Sequence, residues 1–278
     1  MTADRCAAFG LGAVALLVAA LALWIVGDVL LRGFDGLAPG FLLSDPLDAG
    51  RAGGIRPVLV STLLVTTVCL LSAAPVGLLA GLLLAERTRG ARRWAHLIRL
   101  SLDTLAGVPS ILFGLFGNAV FVGLFGWRLS ILSGGLTLAV MVLPFLIRSV
   151  EASLRSLPPD LGRAATALGL GPVTRLGRIL LPAALPGLLT GLVLGLGRAL
   201  AETAALLFTS GYGLRLPASL LDSGRTLSIH ILDLAMNVPG GTANAYRSAA
   251  VLILLILLIN STVMALGGTR GGRRRSQP

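Results

Sequence analysis

Leu188 to Phe208 reads LLTGLVLGLGRALAETAALLF. It is apolar enough and long enough to cross a bilayer, which takes about 20 residues. Two charges interrupt it, Arg198 and Glu202. An arginine at mid-membrane costs about 2.5–3.5 kcal/mol on insertion scales, so it normally faces a water-filled path or a bundle interior. Glu202 follows four residues later, a spacing that puts both side chains on one helical face. The pair reads either as a structural ion pair between helices or as part of a solute pathway, with Glu202 neutralising Arg198 when no anion is present.

The rest of the chain has the same character. Of 278 residues 55% are hydrophobic and only 13% charged, against roughly 25% charged in a soluble domain. Six spans are predicted: Phe9–Leu31, Val58–Leu84, Leu100–Leu124, Ile131–Ile147, Leu188–Thr209 and Ala249–Leu266. The first is too long for the core of a cleaved signal and lacks a clear cleavage site, so it reads as a retained helix. Pro75, Pro109 and Pro144 fall inside spans, which neighbouring helices tolerate by re-satisfying the freed backbone groups. The 36 glycines suit close helix approach. The predicted division is 1–56, a first helix and loop, and 57–278, a transmembrane domain carrying a connector segment at 158–182.

All 23 basic residues are arginine, and the net charge is +11. Arg5, the Arg87–Arg99 group, the Arg148–Arg178 group and the C-terminal arginines from Arg270 fall on one side of the predicted spans. Arg32, Arg51, Arg56, Arg128, Arg215, Arg225 and Arg247 fall on the other. The richer side reads as cytoplasmic and takes both termini with it. Leu227, Ile231, Leu234 and Val238 recur at helical spacing, predicting a short outer helix between Thr226 and Val238 that Pro239, Gly240 and Gly241 end. Cys6 and Cys69 lie in apolar segments without ligand spacing, and His96 and His230 are far apart, so no metal site is expected. No nucleophile elbow or carboxylate pair supports an enzyme built on Ser110 or His230.

The connector reads SLPPDLGRAATALGLGPVTRLGRILLPAALPG. Pro158 and Pro159 suit a first helical turn. Leu161, Ala164, Ala165 and Leu168 share a face, and Gly169 can close that helix in the left-handed conformation. Gly171 and Pro172 open a second helix, and Pro182 and Pro186 are expected to mark re-entry into the membrane. An apolar face held in water needs a partner, either another subunit or the chain's own helix ends.

This segment resembles the EAA motif of permease subunits of bacterial ABC importers. Ala164 and Ala165 match, Gly169 follows after three residues, and Ile179, Leu181 and Pro182 close the pattern nine residues later. Arg163 departs from it, standing where the family has Glu. GVPSILFGLFG at Gly107–Gly117, LPFLIRSVEASLRSLP at Leu143–Pro158 and GRALAETAALLFTSG at Gly197–Gly211 resemble signatures of phosphate permeases, the last one of the PstA type. TLSIHILDLAMN, from Thr226, is PstA-like too. The resemblance implies an all-α polytopic fold of about six transmembrane helices, the type I importer permease architecture, in a bacterial plasma membrane. It implies a substrate path through Arg198, Glu202, Arg148, Glu151, Ser110 and Thr203. It implies coupling to an ATPase through Ala164, Ala165, Leu168, Gly169, Ile179 and Pro182. The implied partners are a homologous PstC-like permease, a PstB-like ATPase dimer that holds ATP and Mg, and a PstS-like phosphate-binding protein. The chain itself has no cofactor: without a lysine it has no Walker A loop. Arginine's planar fork suits phosphate oxygens but suits other oxyanions equally, so a permease for another oxyanion or small polar solute is the competing reading. A non-transporting sensor is a further one. Ser110 and Thr203 can offer hydroxyls to the path or bond their own backbone.

Overall fold

Hydroxyls in an apolar helix have the i−4 carbonyl as their nearest partner, and this chain uses it repeatedly. Thr62 bonds Val58, Thr66 bonds Thr62, Thr137 bonds Ser133, Ser153 bonds Ser149 and Thr190 bonds Pro186, all at 2.7–3.0 Å. Spans that carry many Ser and Thr thus remain compatible with lipid. A computed structural model describes residues 2–87 and 93–271. Arg89, Arg92 and the arginines beyond Gly271, which the charge-asymmetry reading uses, lie outside them, as do the side chains of Arg5 and Cys6.

Among the described residues five helices are long and apolar enough to span a membrane. They fall within α1 (Thr2–Phe34), α3 (Arg56–Arg87), α6 (Ile131–Arg155), α9 (Leu181–Ala201, preceded by a continuous turn from Val173) and α12 (Thr242–Gly271). A sixth span counts only if a bent pair is taken as one, α4 (Arg93–Ala106) and α5 (Ser110–Gly117) with its wide-turn continuation to Leu124. That pair bends by 95°. The predicted straight helix over Leu100–Leu124 is therefore broken. Pro109 has no amide hydrogen to give and pushes Val108 out of the helical region, so α4 closes through Gly107 and Val108 and α5 starts afresh at Ser110.

Two further boundaries move. The fourth span runs on to Arg155 rather than stopping at Ile147. The fifth begins at Val173 and ends at Ala201, so Pro182 and Pro186 lie within helix instead of marking its entry. Pro182 follows directly on a wide turn over Leu176–Leu180, where the regular i→i−4 ladder that its ring would interrupt is already displaced.

The chain divides into two units, 1–56 with 230–253, and 57–229 with 254–278. In the first, a two-residue hairpin pairs Pro46–Leu47 (β1) with Ala52–Gly53 (β2) through left-handed Asp48, Ala49 and Gly50. Asn244 on α12 donates to the Gly50 and Arg51 carbonyls at 2.9 and 3.0 Å, and Arg247 reaches the Asp35 carbonyl at 3.0 Å. In the second, α6 and α9 pack antiparallel along a seam of small residues. Gly187 faces Ser153, Gly191 faces Ser149 and Gly195 faces Val142, each too close to accept a larger side chain without movement. Val65, Cys69, Leu138, Met141, Val142, Ala199 and Leu206 form the main core of this unit. The predicted outer helix is α11, Leu227–Met236, with Leu227 and Leu234 fully buried.

The connector folds as two short helices, α7 (Pro159–Ala167) and α8 (Pro172–Arg175). Leu170 N–H donates to the Ala165 carbonyl and Gly169 N–H to that of Thr166, at 3.1 and 3.0 Å. This is the paired closure of a Schellman motif, with Gly169 at φ +69°. A Cβ at Gly169 would meet nothing within 4 Å, so only the backbone demands glycine there. Gly169→Val is expected to cost about 1–2 kcal/mol locally, while Gly169→Asn is tolerated. Membrane abundance and thermal midpoint of the two variants check this.

Candidate translocation site

Arg198 sits in the last turn of α9, where the carbonyl end of the helix dipole favours a cation. Its side chain is exposed, and no described residue forms a hydrogen bond or ion pair with it. The expected partnership with Glu202 does not form. The helix ends at Ala201, and Glu202 has extended backbone, φ −72° and ψ 130°. The backbone between the two residues is still helical, so what separates them is the turn of the chain after Glu202, which brings the next segment's amides within reach of its carboxylate. Instead the Glu202 carboxylate accepts the Ala205 N–H at 3.2 Å, at the head of α10 (Ala204–Leu207). The Glu202 carbonyl accepts the Ser228 hydroxyl at 2.6 Å. Thr203 turns its hydroxyl to the Ala201 carbonyl at 3.5 Å, the self-bonding alternative.

The break is seated against α5. Gly114 lies directly on Ala205, and Asn118 Nδ2 donates to the Phe208 carbonyl at 2.7 Å. Four residues on along one segment match three on along the other, so α5 and α10 run parallel. Ser110 opens α5, one turn before Gly114, and Arg198, Glu202 and Thr203 lie at or within one turn of the break that precedes α10. Asn118 and Ser228, which hold the break, were not singled out from sequence; each acts across 26 to 90 positions of chain, which no local spacing reveals.

A second charged group gathers where α4 meets α6. Glu151 is 1% exposed and holds three arginines: Arg99 at 2.7 Å, Arg148 at 2.8 Å and Arg155 at 3.0 Å. Arg148 also pairs with Asp103 at 2.9 Å. Arg148 and Glu151 do meet, as their three-residue spacing suggests. Arg99 and Arg155, read from sequence only as topological charges, complete the group.

Of the connector residues, Ala165 is buried, Ile179 half-buried, and Ala164, Leu168, Gly169 and Pro182 are exposed. Arg163 makes only an exposed 3.4 Å pair with Asp160, worth about 0.5 kcal/mol or less. Among the described residues no cluster of His, Cys, Asp and Glu is placed to hold a metal ion.

Broken apolar helices beside a cation unpaired among the described residues, with a two-helix connector leading into the helix that carries it, suit a solute permease. Residues 77–268 match the family described as binding-protein-dependent transport system inner membrane component, and the chain belongs to that family. It is a multi-pass membrane permease subunit. It is 30% identical over 95% of both chains to a probable ABC transporter permease protein, YqgI, of Bacillus subtilis. It is 31% identical to phosphate transport system permease protein PstA 2 of Mycobacterium tuberculosis, over 85% of this chain and 78% of that one. Among solved structures, an inward-facing MetNI methionine ABC transporter chain superposes with a TM-score of 0.64 at 23% identity, covering 78% of this chain and 95% of that one. That likeness establishes the fold.

Proposed function

We propose that this chain is a PstA-type subunit of an ATP-driven phosphate importer. The observation that carries the reading is the Arg198 guanidinium, unpaired among the described residues at the break between α9 and α10. An arginine held there without a counter-ion is a donor fork waiting for an anion, and phosphate oxygens fit that fork bidentately. Thr203 stands at the same break, and Ser110 opens α5, the segment that packs on α10. Arg148 and Glu151 stand nearer the connector end of α6 as a second station, where a carboxylate already occupies the arginines and keeps anion contact brief. Transport needs such weak, serial contacts, because a tightly held solute is not released.

The rest of the machine follows from the family. A homologous permease completes the path, and two ATPase subunits, which hold the ATP and Mg, seat the connectors through Ala164, Leu168 and Gly169. A phosphate-binding protein delivers solute from outside. In this arrangement the connector and both termini face the cytoplasm. The names of the PstA relatives and the arginine-rich connector support it.

Nothing in a guanidinium fork separates phosphate from sulfate or molybdate, so the test is competition. Uptake of labelled phosphate by cells that depend on this importer is expected to fall about tenfold under a tenfold excess of unlabelled phosphate and to be unmoved by sulfate or molybdate. Equal competition by sulfate would replace phosphate with a general oxyanion.

A further inference from the structure

We propose that Glu202 is a positioning residue: it builds the helix break that presents Arg198, and it does not serve as Arg198's counter-ion. The proposal rests on the reading of Arg198 as an anion contact.

A helix that stops inside a membrane strands its last carbonyls, and one that restarts strands its first amides. Glu202 stands between the two and serves both. Its own N–H donates to the Ala199 carbonyl at 3.3 Å. Its carbonyl takes the Ser228 hydroxyl at 2.6 Å. Its carboxylate takes the Ala205 N–H at 3.2 Å. An acidic side chain at the start of a helical segment is favoured both as a cap and by the aligned peptide dipoles.

The same geometry has an electrostatic result. At ψ 130° the chain beyond Glu202 leaves the helix and returns the Ala205 N–H to the carboxylate, and no ion pair joins Glu202 to Arg198. A guanidinium already clasped by a carboxylate would have to give it up for each passing anion. Here the carboxylate is engaged on the backbone, and the cation is left for the solute. Ser228 is the second tie, and it fixes the carbonyl that the break leaves without a helical donor.

Glutamine separates the two roles, because it keeps the accepting oxygen and loses the charge. The measurement is phosphate uptake by the whole complex in proteoliposomes, as initial rate against phosphate concentration. Glu202→Gln is expected to hold both maximal rate and half-saturation within about threefold of the parent. Glu202→Ala, losing the cap, is expected to lower the maximal rate about tenfold in assembled complex. Where Glu202→Ala fails to assemble, Ser228→Ala is measured instead, with the same loss expected. A Glu202→Gln complex as impaired as Glu202→Ala overturns the proposal. So does a half-saturation in Glu202→Gln lowered about tenfold, the mark of a cation freed from its counter-ion. Full rate in Glu202→Ala, or in the Ser228→Ala that replaces it, overturns it too. Normal uptake by Arg198→Ala condemns the path reading instead, and the glutamine-to-alanine contrast still reports on the cap.

Discussion

Arg198→Ala is expected to lower phosphate uptake roughly 10- to 150-fold while the complex still assembles. The side chain makes no bond to any described residue, so its removal leaves no buried partner stranded and the fold loses little. The anion loses a charge-assisted, two-pronged contact, worth about 1.5–3 kcal/mol or roughly 10- to 150-fold in rate or affinity. Arg198→Lys is expected to recover only part of that, because an ammonium is a point charge without the planar fork. Initial rates of labelled phosphate uptake, with co-purification of the partner subunits as the assembly control, decide it. Uptake at the parental rate in Arg198→Ala removes this residue from the pathway.

Glu151→Ala produces the opposite pattern, a loss of the protein rather than of the chemistry alone. Glu151 is buried and answers Arg99, Arg148 and Arg155 at once. The three arginines left behind are 23%, 37% and 43% exposed, so water partly takes the place of the lost carboxylate and the cost is about 1–3 kcal/mol. In a chain of this size that corresponds to a fall of roughly 5 °C in thermal midpoint, together with reduced abundance in the membrane. Arg99→Gln is expected to cost less, because Glu151 keeps two partners and Arg99 is itself partly solvated. Melting of the detergent-purified protein provides the measurement. An unchanged midpoint in Glu151→Ala would mean that solvent already screens the cluster.

The spans were legible because membrane insertion is decided by length and apolarity, both local properties. The Gly169 turn was legible for a similar reason: a helix stop of that kind is written in one residue. The α4–α5 bend was only half visible. Pro109 is evident, but Pro75 and Pro144 sit in helices that continue through them, and a proline alone does not say whether its helix survives. What differs at Pro109 is that Gly107 and Val108 close the preceding helix with their own amides. The Arg198–Glu202 spacing misled because the helix stops at Glu202, whose carboxylate goes to the Ala205 N–H of the next segment instead of back to Arg198. The bonds that override it come from Ser228, and the parallel seat comes from Gly114 and Asn118 on another helix. Neither is encoded near Glu202. Arg99 was missed for the same reason, since its partner lies 52 positions away.

From Val173 to Ala201 the backbone is helical without interruption, a shaft about 43 Å long at 1.5 Å per residue. One end emerges from the Gly169 corner, and the other carries Arg198. Twist or thrust applied near Pro172 therefore travels to the guanidinium along one helix, past two points that can yield, the wide turn at Leu176–Leu180 and the backbone bond that Pro186 removes.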